Sequence, residues 1–325
     1  MLRCPLTLLA VTWLALAPAA AFAGKLLVVR KDYDDFAMVK EGIQAEIRSA
    51  HQIVDFLVTD ETKYETFAAK VREEKPDLLL LMDNISVALA TRFNLESDDY
   101  AKKLKAVATM GLNLKKELKD SANLCGIAYE VPAFSIITQF RYLVVNPIKN
   151  VLVFYRKSEF AQTIEEAREQ LARTGINLIA LDAEAKGDSK DEIAKFLSDN
   201  LKEEVAGQKV DAVWVISDNG LLNEKTFGAI WVKRGRTFKI PFICGLEVFV
   251  SKKVNFCSYA AAPNHKDLGV QMATTALSIL DEGQTPAQIG VEYILSVVKT
   301  VNLDKLHSLG LQIGPERMKD VKEAN

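Results

Sequence analysis

Aromatic, hydroxyl, amide and acidic side chains follow directly after a series of short apolar runs in this chain. Tyr33 comes just after residues 25–30 (KLLVVR), and Ser217 and Asp218 come after residues 210–216 (VDAVWVI). Such groups can hold a small amphiphilic molecule by ring contact and hydrogen bonding. The candidate ligand-binding residues are Tyr33, Asp34, Asn84, Ser86, Asn113, Tyr129, Glu130, Tyr155, Ser158, Ser217, Asp218, Asn219 and Glu247.

Several of these residues also have a purely structural interpretation. Asp34, Asn84, Ser158 and Asn219 stand where helices are expected to begin. Short polar side chains cap free N–H groups at such positions whether or not a ligand is present. The tyrosines could likewise pack at a domain rim without touching a ligand. Both interpretations stay open for each single residue. The prediction of a binding site is therefore based on the set as a whole.

The sequence lacks the motifs of the common catalytic and metal sites. It contains no Gly-x-Ser-x-Gly turn, Walker phosphate loop or Gly-x-Gly-x-x-Gly turn. Its histidines, His51, His265 and His307, are far apart, and no Cys-x-x-Cys spacing occurs. We therefore expect a binding protein rather than an enzyme, with no cofactor and no metal. The enzymatic alternative is a hydrolase or isomerase that uses Asp83 and Asp218 as paired carboxylates.

The elements that must position these loops are alternating strands and helices. Continuous apolar runs such as residues 77–82 (DLLLLM) are typical of strands covered by helices on both faces. The alternation reaches Asn146 and Pro147 and then restarts at residues 150–155 (NVLVFY). The predicted fold class is therefore α/β, with two doubly wound parallel-sheet lobes joined by a multi-strand hinge. Ligands of such sheets bind beyond the carboxyl ends of the strands.

The sequence also predicts individual helices and strands. Residues 189–205 are predicted as a helix that begins with a capping box between Ser189 and Glu192. Residues 105–110 could form a strand or part of a long helix, because a short apolar run does not decide between them. Continuous strands are predicted at residues 254–259 (VNFCSY) and 293–301, and a helix at residues 222–233.

The first 23 residues have the order of a secretory signal peptide. Arg3 precedes an apolar run at residues 6–17, and small residues end at Ala23, where cleavage is predicted. No later apolar segment approaches the length that crosses a membrane. We therefore expect a periplasmic protein, a monomer that does not itself insert into a membrane. The chain contains 41 lysines and arginines and 43 acidic residues. This near balance of charge gives no indication of nucleic-acid binding.

Three cysteines remain after that cleavage, Cys125, Cys244 and Cys257. A secreted chain that depends on disulfides usually carries a denser, even set. Cys244 and Cys257 both lie in apolar runs, so a pair between them is one interpretation. Buried free thiols are the favoured one, because such thiols are common in protein cores.

Several segments together resemble a family of ABC-transporter substrate-binding proteins. The resemblance covers most of the chain from Leu124 onward and depends on the order and spacing of its parts. The matching segments are residues 125–134 (CGIAYEVPAF), 146–155 (NPIKNVLVFY), 210–219 (VDAVWVISDN), 239–247 (KIPFICGLE), 267–289 (DLGVQMATTALSILDEGQTPAQI) and 301–313 (VNLDKLHSLGLQI).

The resemblance implies a type I periplasmic-binding fold and delivery of a small-molecule ligand to an ABC permease in the inner membrane. It implies a first lobe of residues 24–147 plus 263–284 and a second lobe of residues 148–262 plus 285–325. Because well-understood members bind aromatic amino acids, it favours such a ligand. It places Ser217, Asp218 and Asn219 in the cleft, with Asp218 meeting an ammonium group.

The first lobe departs from the family pattern at two loops that would touch ligand. Residues 83–86 read Asp-Asn-Ile-Ser where the family usually has Thr-Pro-Ala, and residues 110–113 read Met-Gly-Leu-Asn where it often has Asp-Pro. The sequence does not separate a transport component from a sensor subunit that docks on a signalling receptor, because both would bind ligand in the same way.

Overall fold

The computed structural model describes residues 24–47, 50–96 and 103–325, and within them two mostly parallel sheets dominate the fold. The predicted signal peptide lies outside the described residues. The first sheet has six strands, in spatial order β13 (Val291–Tyr293), β5 (Leu124–Ala128), β4 (Lys105–Thr109), β3 (Leu78–Met82), β1 (Lys25–Arg30) and β2 (Gln52–Leu57). All its pairings are parallel.

The second sheet has seven strands. Their spatial order is β15 (Lys322–Glu323), β14 (Val297–Val301), β12 (Tyr259–Pro263), β11 (Phe242–Cys244), β10 (Ala212–Val215), β6 (Asn150–Tyr155) and β7 (Asn177–Asp182). β14 runs antiparallel to β12, and the other pairings are parallel. A small antiparallel hairpin joins β8 (Glu204–Val205) to β9 (Gln208–Lys209). The α/β class with two parallel-sheet lobes is confirmed.

Helices follow most of the parallel strands. The helices before residue 147 are α1 (Asp34–Ile47), α2 (Tyr64–Glu74), α3 (Asn84–Leu95), α4 (Leu114–Glu117) and α5 (Ala133–Leu143). Those after it are α6 (Lys157–Ala172), α7 (Lys190–Asn200), α8 (Lys233–Thr237), α9 (His265–Leu280), α10 (Pro286–Ile289) and α11 (Leu303–Ser308). The capping box predicted between Ser189 and Glu192 is confirmed at the start of α7.

Helix α9 returns to the first lobe and packs closely on α1. A Cβ added to Gly42 would lie 2.0 Å from the Lys266 carbonyl oxygen, and one added to Gly269 would lie 2.0 Å from that of Val39. Only glycine at both positions allows two helix backbones to approach this closely. These two glycines therefore let α9 pack directly on α1.

Other parts of the chain cross between the lobes at points that differ from the predicted boundaries. The first lobe was predicted to include α5, but α5 packs on β11 and β12 of the second sheet, where Phe140 contacts Tyr259 with ring centroids 5.5 Å apart. The strand predicted at residues 293–301 is two strands, because β13 pairs with β5 and β14 with β12. An apolar pattern indicates that a segment is buried, but it does not indicate which sheet the segment packs against.

Two more local predictions are corrected. The strand predicted at residues 254–259 begins only at Tyr259, the first residue of β12, and residues 254–258 are not in a strand. The helix predicted over residues 222–233 is replaced by turns and a π-helix, Phe227–Val232, that leads into α8.

The structure also joins Cys244 to Cys257 by a disulfide, with Cα atoms 6.2 Å apart, and leaves Cys125 as a buried free thiol. The favoured interpretation of free thiols at Cys244 and Cys257 was therefore wrong. The pair forms because the chain turns back after β11 and brings Cys257 alongside it, a contact that the spacing of the two residues does not reveal.

Candidate ligand-binding cavity

A cavity lies between the two lobes, at the carboxyl ends of strands from both sheets. Its walls include Asn113, Tyr129 and Glu130 from the first lobe and Trp214, Ser217 and Gly245 from the second. Its volume is about 90 Å³, and a buried water needs about 10–15 Å³ on such a measure. The space is therefore large enough for a small solute.

Tyr129 forms an ordered part of the first-lobe wall. Its hydroxyl lies 2.9 Å from Nε2 of His265, and the two rings are stacked with centroids 5.9 Å apart. Nδ1 of His265 lies 3.4 Å from a carboxylate oxygen of Asp35. Burial raises the pKa of Tyr129 to about 12, so Tyr129 presents a neutral phenol to the cavity at physiological pH.

Glu130 stands next to this ring and is held by the neighbouring loop. The backbone N–H of Asn113 donates to Oε1 of Glu130 at 2.5 Å. Asn113 has a left-handed backbone with φ of 57°, which asparagine tolerates better than most residues. Burial raises the pKa of the Glu130 carboxyl, since little solvent is left to stabilise its charge.

The second-lobe wall is one face of α6 together with the ends of β10 and β11. Phe160, Thr163, Ala167 and Gln170 line the cavity, and their spacing places them along one side of the helix. These residues, with Trp214, were missed in the sequence. The spacing itself was the available signal, but an amphipathic helix face normally indicates ordinary core packing.

Polar contacts bridge the lobes at the rim of the cavity. Lys115 lies 3.3 Å from Glu166, and Lys116 lies 2.6 Å from Glu159. The Tyr293 hydroxyl lies 3.3 Å from the same Glu166 carboxylate oxygen as Lys115. These five residues are called the interlobe latch below. Asn113 adds to it, because its side-chain amide donates to the Glu159 carbonyl at 2.8 Å.

Four of the thirteen predicted site residues line the cavity, namely Asn113, Tyr129, Glu130 and Ser217. The predicted first-lobe residues that precede them lie elsewhere. Tyr33 is 65% exposed and Asp34 is exposed at the start of α1. Asn84 is exposed and bonds to the Leu112 backbone in both directions, and Ser86 is fully buried, where its N–H is capped by Asp83.

The remaining predicted residues of the second lobe also lie away from the cavity lining. Ser158 bonds to the Glu184 carboxylate through both its N–H and its hydroxyl, and Glu247 accepts a hydrogen bond from Thr300. Tyr155 is half-buried at the end of β6, and Asn219 is exposed. Asp218, which the resemblance placed against an ammonium group, is 2% exposed and forms an ion pair with Arg156.

Comparison with protein families gives a match over residues 103–324 to the model described as ABC transporter substrate binding protein. The match covers more than half of the chain, so the protein belongs to the ABC-transporter substrate-binding protein family. Proteins of this family bind small ligands for ABC permeases. In the described ranges, residues 24–47, 50–96 and 103–325, no helix is long and apolar enough to cross a membrane.

Solved structures support the same fold at low sequence identity. A substrate-binding protein with adhesive properties from Clostridium difficile, in a ligand-free, open form, matches with a TM-score of 0.67 and 16% identity over 93% of this chain and 99% of that chain. An ABC domain from Streptococcus pneumonia in complex with L-Trp matches with a TM-score of 0.59 and 18% identity, again over 93% and 99%.

A periplasmic ribose ABC transporter structure from Conexibacter woesei matches with a TM-score of 0.54 and 15% identity over 92% of this chain and 98% of that chain. Comparison with curated protein sequences gives no significant match. All three solved structures are less than 25% identical to this chain, so they establish its fold alone. The ligand has to be inferred from the cavity itself.

Proposed function

We propose that this protein captures a small solute in the interlobe cavity and delivers it, unaltered, to an ABC permease. The observation that carries the proposal is the cavity itself, whose walls come from the carboxyl ends of strands in both lobes. A ligand placed there touches both lobes at once, so it stabilises the closed arrangement relative to the open one. Closure is the signal that a permease can recognise.

The proposed ligand is an amino acid, with an aromatic side chain favoured. Tyr129, Phe160, Trp214 and Tyr293 bring four aromatic rings to the cavity lining, and such rings stack well on one another. Ser217 and Asn113 supply polar groups beside them. The Streptococcus structure contains L-Trp, which agrees with this choice. A bulky ring needs more room than about 90 Å³, so we expect the lobes to open further before binding.

The proposed location is the periplasm. Residues 1–23 would direct export and be removed after Ala23, which leaves a monomer that reaches the permease by diffusion. N-terminal sequencing of the exported protein tests this step, with Gly24 as the expected first residue. A mature chain that keeps its first residues would contradict it.

The binding proposal is tested by thermal unfolding of residues 24–325 in the presence of the common amino acids, ribose and nucleosides. A ligand that binds only the folded state raises the unfolding temperature. Small molecules released by denaturing the purified protein are identified by mass spectrometry in parallel. The absence of both a stabilising compound and a co-purified molecule would contradict the proposal.

A matched variant shows whether the binding is in the cavity. Among the described residues, a Cβ on Gly245 would meet the Ser217 hydroxyl oxygen alone, at 3.0 Å. Gly245→Leu therefore adds a larger side chain to the cavity lining with little disturbance of the backbone. We expect this variant to fold and to lose the ligand-dependent shift. A retained shift would place the ligand elsewhere, and conversion of the ligand to a product would indicate an enzyme instead.

A further inference from the structure

Three of the acidic side chains at or near the cavity differ in what neutralises them. Glu166 lies 3.3 Å from Lys115. Asp218 lies 2.8 Å from Arg156. Glu130 has no basic ion-pair partner among the residues that the structure describes, and its Oε1 accepts from the backbone N–H of Asn113.

This difference leaves one acidic group of the cavity lining without a basic partner among the described residues. Of the cavity-lining side chains, Lys115 is basic, and Glu130 and Glu166 are acidic. Because Lys115 and Glu166 neutralise each other, Glu130 determines the net charge of the lining. A desolvated carboxylate without a counter-charge is unfavourable, so an incoming cation is attracted and an incoming anion is repelled.

We propose that Glu130 is the anchor for a positively charged ammonium group of the cargo. The solutes carried are then amines, including amino acids, and not sugars or simple acids. This inference rests on the proposed function and assigns to Glu130 the role that the sequence resemblance gave to Asp218. The aromatic lining supports it, since the faces of Tyr129 and Trp214 also attract cations.

The test uses pairs of compounds that differ by the charged group alone. Each L-amino acid is paired with the 2-hydroxy acid that has the same side chain, and ribose and 2-phenylethylamine complete the panel. Calorimetry on residues 24–325 gives the affinities. We expect the tightest compound to carry an ammonium group and to bind at least about 30-fold more tightly than its hydroxy partner.

Glu130→Gln removes the charge and keeps an oxygen that can accept from Asn113. We expect this variant to bind the tightest amine at least about 30-fold more weakly and to lose the preference over the hydroxy partner. Glu169→Gln removes the same charge from an exposed position on α6 and should leave affinity unchanged. Equal loss in both variants would overturn the proposal, as would full affinity in Glu130→Gln.

Stability without ligand separates a binding role from a structural one. Since the unneutralised carboxylate is unfavourable in the ligand-free cavity, Glu130→Gln should unfold at a higher temperature than the wild type. A lower unfolding temperature would show that Glu130 supports the fold, which would overturn the proposal.

The two proposals fail in different ways. A tightest ligand without a cation contradicts the role of Glu130 and leaves solute capture intact. If no compound in the panel binds and no molecule co-purifies, the proposed function fails, and the inference fails with it.

Discussion

Arg156 and Asp218 form a two-pronged ion pair, in which Nε and Nη2 of Arg156 each donate to a different carboxylate oxygen at 2.8 Å. The Gly220 N–H also donates to Oδ1 of Asp218 at 2.8 Å. A Cβ on Gly220 would lie 2.3 Å from Nε of Arg156, so the glycine makes room for the guanidinium. The pair fixes the loop after β10, and that loop carries Ser217 into the cavity.

The first prediction concerns how much this ion pair contributes to the free energy of unfolding. Arg156→Met leaves the Asp218 carboxylate buried without its counter-charge, so the free energy of unfolding should fall by about 3 kcal/mol. Urea unfolding measures the change. The control is Arg168→Met, which removes an exposed arginine on α6 and should change the free energy by less than about 0.5 kcal/mol. Equal stability of the two variants would show that the ion pair contributes nothing.

The second prediction concerns the interlobe latch. Lys116→Ala removes its contact with Glu159 in the closed protein, so affinity for the amino acid that gives the largest thermal shift should fall. Both side chains are partly exposed, 47% and 28%, so the loss is limited to about 1 kcal/mol, or about fivefold in affinity. Because salt screens such pairs, high salt should narrow the difference between variant and wild type.

Lys119→Ala is the matched control for the latch, because Lys119 is an exposed lysine outside the latch on the segment that follows α4. Its affinity should equal that of the wild type at every salt concentration. An effect of Lys116→Ala that exceeds tenfold, or that does not change with salt, would mean that Lys116 acts by another route.

The third prediction concerns the disulfide. Cys244 and Cys257 are 13 residues apart, and closing a loop of this size contributes about 3 kcal/mol to the free energy of unfolding. The double variant Cys244→Ser with Cys257→Ser should be less stable by about that amount. Reductant should lower the unfolding temperature of the wild type but not that of the double variant. Cys125→Ala should stay sensitive to reductant, and insensitivity of the wild type would count against the bond.

The fourth prediction concerns pH. The Lys305 ammonium is buried and donates to the carbonyl oxygens of Gly235, Asn255 and Phe256 at 2.7, 3.0 and 2.7 Å. Burial lowers the pKa of Lys305 to about 8 from its ordinary 10.5, with a smaller effect from Arg236. Between these two values the unfolded chain holds a proton that the folded chain has released. The stability that Lys305 contributes should therefore rise with pH through this range.

The comparison with Lys305→Met isolates that group. The wild-type free energy of unfolding minus that of the variant should increase from pH 8 to pH 10.5 by up to roughly 3 kcal/mol, and should be constant below about pH 7. Urea unfolding across the range measures it. A difference that stays flat, or that falls with rising pH, would show that the three carbonyl contacts keep the ammonium charged.

The predictable part of the fold is the part that local patterns encode. Continuous apolar runs such as β3 (LLLLM) predict strands because a strand with helices on both faces has no solvent side. The capping box at Ser189 is predictable because the two partners lie within one helical turn. The assignment of α5 and β13 to their sheets could not be predicted, because both partners are far away in the sequence.

The candidate site was likewise predictable only in the part that local sequence patterns encode. The sequence by itself determined that polar and aromatic side chains end the parallel strands, and Asn113, Tyr129, Glu130 and Ser217 do line the cavity. The tertiary structure decided which of those loops face each other, because the lobes meet along α6 and leave the loops after β1 and β3 outside the lining. It also decided that Arg156 neutralises Asp218, while Glu130 has no basic partner among the described residues. Charge matching depends on distances of a few ångströms between residues far apart in the chain, and no local pattern carries that information.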